Sequence, residues 1–131
     1  MKRLAVLLCL ALLGTSACQS LSERRQTTLL QDTLSRYEAT MRWGDPAQAR
    51  RFGSSDSGSS QQTLSPDLRI TGYQVLQGPG MVDAQQVVQA VAIEYVFEST
   101  QQVRELVDQQ VWRYDPSTES WYRQSPFPEF R

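Results

Sequence analysis

The residue best equipped for chemistry is Cys18. A thiolate is the strongest nucleophile among ordinary side chains, and the chain holds two cysteines and no histidine. Without histidine the commonest general base, the commonest metal ligand and the usual pH switch are missing. Two cysteines build neither a disulfide framework nor a four-ligand zinc site, so no cofactor is indicated. The next candidates are carboxylates on strand-like segments: Asp108, Glu94 and Glu105. A carboxyl buried in an apolar pocket gains a raised pKa and can act as a general acid. Asp108 shares the parity of Leu106 and Trp112, which places it beside apolar neighbours. The bland alternative for it is an ion pair with Arg113 or Arg42, or a solvated sheet face. Late in the chain Trp112, Tyr114, Trp121 and Tyr122 gather with other aromatic residues. Cross-strand aromatic pairs ordinarily stabilise a sheet by ~0.2–1 kcal/mol each; the functional alternative is an exposed patch that docks a partner or ligand. Arg42 beside Trp43, and Arg113 beside Trp112, are candidate cation–π pairs, with Trp43 expected to anchor a helical hairpin. No phosphate loop, nucleophile elbow or metal-ligand cluster occurs in the sequence.

What precedes Cys18 explains the cysteine. Met1-Lys2-Arg3 is a short positive start, and Leu4 to Leu13 is an unbroken apolar run containing Cys9. Ten helical residues cover ~15 Å, about half the bilayer core, so the run is a signal segment and not a membrane span. Gly14-Thr15-Ser16-Ala17-Cys18 follows, small residues leading into the thiol. This layout resembles the lipobox of bacterial lipoproteins, although Thr15 stands where that pattern prefers Leu. The resemblance implies a diacylglycerol thioether on the Cys18 sulfur, cleavage between Ala17 and Cys18, and acylation (commonly with palmitate) of the new amino group. The alternative is an ordinary secretory signal with Cys18 a bystander. Gln19, where Asp would retain a lipoprotein on the inner membrane, implies the periplasmic face of the outer membrane. Residues 1–17 are then a signal peptide, and the mature chain has no cysteine left for a disulfide. Several acyl chains, at ~0.8 kcal/mol per buried methylene, hold a protein on a membrane far more firmly than one.

The remaining residues must position these groups. Ser20 to Trp43 has helical spacing: Leu30, Leu34, Tyr37 and Met41 stack on one face, widened by Leu29. Ser20-x-x-Glu23 is a capping-box pattern, Gly44 a stop, and residues 18–28 a tether merging into the helix. Asp45-Pro46 suits the cap and first position of a second, short helix reaching Phe52. Residues 53–65 are Gly/Ser-rich and predict a flexible loop. From Leu68 the period becomes two. Gly72 sits at a parity switch, as at a β-bulge, and Gly78-Pro79-Gly80 predicts a turn. Val87 to Phe97 reads as a central strand, Val103 to Tyr114 as the next, Ser120 to Gln124 as the last, and Ser125-Pro126-Phe127-Pro128 as an extended tail.

The expected fold is therefore α+β: an N-terminal helical hairpin packed on a curved antiparallel sheet of about four strands, with residues 29–131 a single domain. That order is similar to the cystatin-like or nuclear transport factor 2-like cone. Three segments carry a closer resemblance: Arg36-Tyr37-Glu38 through Met41-Arg42-Trp43-Gly44-Asp45; Ile70-Thr71-Gly72-Tyr73; and Asp108-Gln109-Gln110-Val111-Trp112-Arg113-Tyr114-Asp115 with Trp121-Tyr122. They resemble a family of small proteobacterial lipoproteins, a likeness that implies placement and fold and lends no catalytic residue.

The net charge of −1 argues against a nucleic-acid binder working through a basic field. The expected partners are the membrane, through the Cys18 lipid, and an envelope protein or small ligand; oligomeric state is left open. Two functions compete: a lipid-tethered, non-catalytic periplasmic binding or assembly module, and a small-molecule enzyme using Asp108 or Glu94 in a cone pocket. A deep pocket holding one of those acids separates them.

Overall fold

The structure, a computed structural model, describes residues 2–54 and 63–131, with the backbone alone for residues 2–17. Most of the expected Gly/Ser loop, residues 55–62, lies outside the described residues.

Helix α1 spans Lys2–Trp43. It starts well before Ser20, so Ser20 and Glu23 lie inside a continuous helix and not at its first turn. Leu30, Thr33, Tyr37 and Met41 are buried, the three- and four-residue spacing that lays side chains along one stripe. The Thr33 hydroxyl donates to the Leu29 carbonyl at 2.8 Å, so its burial leaves no unmet donor. Gly44 ends the helix where a Cβ would come 2.9 Å from the Thr40 carbonyl oxygen. The second helix is a 3-10 segment, Pro46–Phe52; Asp45 caps it by accepting from the Ala47 amide at 3.0 Å, and Pro46 takes the first turn. Among the described residues no helix is long and apolar enough to cross a membrane.

Four strands follow: β1 Leu68–Asp83, β2 Gln86–Phe97, β3 Val103–Asp115 and β4 Ser120–Arg123. They form one antiparallel sheet in the order β1-β2-β3-β4. β1 outruns β2 because its register slips at four places. One slip falls between Ile70 and Gly72, the parity switch expected there, and Glu94 stands over Gly72 with its Cβ 3.1 Å from where a side chain would begin. The expected turn at Gly78-Pro79-Gly80 is overturned. β1 runs through these residues as an irregularity, with Gly80 still paired to Val88, and the reversal comes later, at Ala84-Gln85. There the Asp83 carboxylate accepts from the Gln85 amide at 2.7 Å. Pro79 is tolerated because β1 is an edge strand, where one missing N–H breaks no ladder bond.

Helix α1 lies across one face of the sheet, here called the inner face. The core between them contains Leu30, Tyr37, Met41, Ala49, Val87, Val91, Ile93, Trp112 and Trp121. Tyr37, Phe52 and Trp112 meet edge to face with centroids 5.2–6.3 Å apart, the arrangement ring quadrupoles favour. The non-sheet tail after β4 folds back over the inner face. Phe130 meets Tyr95 at 5.1 Å, and the Tyr95 hydroxyl donates to the Arg131 carbonyl at 3.0 Å. Among the described residues, the opposite, outer face of the sheet carries no helix. Trp43 does not anchor the hairpin: it is 77% exposed, with the Arg42 guanidinium stacked over it at 4.7 Å. The hairpin is held instead by Ala49 and Phe52, which pack into the core.

Candidate functional site

Cys18 is a free, exposed thiol on α1. Among the described side chains, the first hydrogen bonds from the helix to the strands and their turns come seven and eight residues later. Arg25 pairs with Glu119 at 2.9 Å, and the Gln26 carbonyl accepts from the Trp121 indole at 3.0 Å. At ~1.5 Å per residue, Cys18 stands about 10 Å along the helix from the first of them. Ala17, the other half of the expected cleavage site, has no described side chain.

The three carboxylates part company. Glu94 and Glu105 are exposed on the outer face, directly opposite each other on β2 and β3. Neither points inward as expected, because both have the parity opposite to Ile93 and Leu106. Glu94 accepts from the Thr71 hydroxyl at 2.8 Å. Asp108 does point inward and is buried, but its partner is neither Arg113, which the alternation of β3 sends to the other face, nor Arg42, which pairs with Glu38. It is Arg123. The two meet as a fork: Nη2 to Oδ1 at 2.6 Å and Nη1 to Oδ2 at 2.8 Å, with side chains 2% and 4% exposed.

Every N–H of this guanidinium is used. Nη1 also donates to the Tyr37 hydroxyl at 2.8 Å, Nη2 to the Pro126 carbonyl at 2.7 Å, and Nε to the Ser125 carbonyl at 3.2 Å. Five donors thus meet five acceptors, the full capacity of arginine. Gln110 completes the network. Its amide nitrogen donates to Asp108 Oδ2 at 2.9 Å and to the Tyr73 hydroxyl at 3.0 Å. Its oxygen accepts from Gln89 at 2.8 Å and from the Trp112 indole at 3.1 Å. One polar cluster therefore joins α1, all four strands and the tail.

The electrostatics follow from this enclosure. Burial pushes the Tyr37 phenol far above its usual range, against the pull of Arg123. Burial raises Tyr73 to about 12. For Arg123 burial is the largest influence and opposes the charge, but the Asp108 hydrogen bonds together with the attraction of Tyr37, Asp108 and Tyr73 outweigh it and hold the guanidinium charged. A buried ion pair with its remaining donors and acceptors satisfied is a stable structural unit. Of four clefts of about 220–450 Å³ on the described surface, one of about 350 Å³ is lined by Tyr73 and Gln89 of this network, and none of the four is lined by Asp108, Glu94 or Glu105.

The aromatic residues proposed as a docking surface are overturned in part. Trp112 is fully buried and Trp121 nearly so; they fill the space under α1 because their strand positions alternate inward. Tyr114 and Tyr122 are half-buried, Tyr114 tilted against Trp121 at 5.3 Å. Arg113 does not stack on Trp112, since the two occupy opposite faces. Reading the sequence missed Arg123, Gln110 and the Tyr37 hydroxyl as members of one cluster. A signal existed for Arg123, which shares the parity of Trp121 on β4.

No protein-family model matches the chain, and no curated protein or solved structure is significantly similar to it.

Proposed function

We propose that the chain is a lipid-anchored lipoprotein of the bacterial envelope, held by Cys18 at the periplasmic face of the outer membrane. Its folded part is a non-catalytic binding or assembly module. The basic start, the short apolar run and the small residues leading into Cys18 support the anchor. The observation that carries it furthest is the position of that thiol: exposed, and about 10 Å of helix away from the first sheet contact, where modifying enzymes can reach it. The module reading rests on the interior, where the one inward strand carboxylate is consumed by Arg123. We read the finer fold as cystatin-like, because one long helix precedes a four-strand meander that it packs across.

Mass spectrometry of the protein extracted from its own membranes tests the anchor. The expected product begins at Cys18 and carries diacylglycerol on sulfur and an acyl group on nitrogen. Cys18→Ser is expected to leave the protein unprocessed and to abolish incorporation of labelled palmitate. A bare Cys18 thiol, or an amino terminus elsewhere, would overturn the reading. Density separation of the two membranes tests the sorting expected from Gln19.

A further inference from the structure

The outer face of the sheet is apolar along its middle and charged at its ends. Val88, Val96, Val103, Val107 and Val111 project from it, with Val103 65% and Val107 52% exposed. Ala90 and Ala92 lie between them and keep the surface low. Glu94 and Glu105 sit side by side toward one end, a like-charge pair that destabilises an isolated sheet. Toward the other end, eight residues along β3 from Glu105, stands Arg113, which pairs with no acid among the described residues; Asp115, two residues beyond it on the same side, turns its carboxylate to the Ser117 amide and hydroxyl.

We propose that this face is the contact between two copies of the chain, packed sheet on sheet about a two-fold axis beside Gln109. Gln109 is midway between Glu105 and Arg113, so an axis crossing the strands there lays the acidic end of one copy over the Arg113 end of the other. The same operation sets Val107 against Val111 of the second copy, and Ala92 against Val88. One patch thus complements itself in both charge and shape, as a two-fold interface requires. Three strands ~4.8 Å apart with about ten residues of ~3.4 Å each, and the four-residue β4 beside them, give roughly 550 Å² per copy, about two-thirds of the ~800 Å² typical of a stable interface. Val88, Val107 and Val111 carry the burial at the middle of the face, and the Glu105–Arg113 contacts fix the orientation. This pairing is independent of the lipid anchor.

Cross-linking of the full chain in its native membranes tests it. Facing sheets stand ~10 Å apart, beyond the ~7 Å Cα reach of a disulfide, so a short bismaleimide is the suitable probe. Gln109→Cys is expected to give a homodimer band well above that of the unsubstituted chain, whose own Cys18, capped or free, sets the background. Arg36→Cys on the outer side of α1 is expected to stay at that background. Val107→Glu added to Gln109→Cys is expected to cut the band at least tenfold. Glu105→Arg is expected to weaken it, and Glu105→Arg with Arg113→Glu to restore it; this pair of variants changes surface charges only and leaves the core intact. A Gln109→Cys band no stronger than that of Arg36→Cys, a band indifferent to Val107→Glu, a charge swap without restoration, or cross-links solely to other proteins would each overturn the proposal.

Discussion

Arg123 is one side chain, and it ties together the helix, the sheet and the tail. Removing either member of a buried, hydrogen-bonded ion pair leaves an uncompensated charge, which costs about 3–5 kcal/mol. Asp108→Ala and Arg123→Ala are each expected to lower unfolding free energy by that amount in urea titrations. The double variant is expected to lose less than the sum, because the second change removes the stranded charge left by the first. Glu119→Ala, which breaks the exposed Arg25–Glu119 pair, is expected to change stability by less than about 1 kcal/mol. The phenols give a pH test. Burial raises Tyr73 to about 12 and Tyr37 further, while both revert to about 10 when the chain unfolds. A raised folded value means the native state holds its proton more tightly. The resulting stability is complete below pH 10 and declines as pH rises through 12. Tyrosinate absorbance is therefore expected to include a cooperative step coincident with loss of circular dichroism above pH 10, and Tyr73→Phe is expected to move that step to higher pH.

At the scale of elements, periodicity carried the sequence reading a long way. The stripe Leu30, Tyr37, Met41 and the alternation Val87, Val91, Ile93, Tyr95 each reflect burial on one face, and burial sets composition directly. Leu30→Ala is expected to destabilise by about 2–5 kcal/mol, measured by denaturant titration. The turn after β1 was not legible. Gly78-Pro79-Gly80 has ideal turn composition, but an edge strand can absorb the same residues as an irregularity, and only pairing with β2 decides between them. The start of α1 was misread for a related reason: a capping pattern marks a helix end only where the preceding residues leave the helix. The candidate site was legible one side chain at a time. Parity put Asp108 inside correctly. Its partner lies fifteen residues away on a four-residue strand, too short to show an alternation of its own.

At the scale of the whole molecule, the described residues form a sheet covered on one side and bare on the other. The covered side is closed by the tail as well as by α1, since the Ser125 and Pro126 carbonyls accept from Arg123 and Phe130 meets Tyr95. A chain ending at residue 125 is expected to lose cooperative thermal unfolding, seen by calorimetry, because an Arg123 N–H loses its acceptor and Phe127 and Phe130 leave the core. The bare side departs from the polar composition that alternation calls for: on β3 the outward series is Val103, Glu105, Val107, Gln109, Val111, Arg113.

The irregular course of β1 has a consequence for crowding. Proteins held at a surface meet one another at high local density, and a long free strand edge invites hydrogen-bonded growth from copy to copy. Four slips of register and a proline along that rim break the regular row of donors and acceptors such growth needs. Pro79→Val is expected to leave thermal stability nearly unchanged while hastening fibril formation, followed by thioflavin fluorescence in concentrated protein.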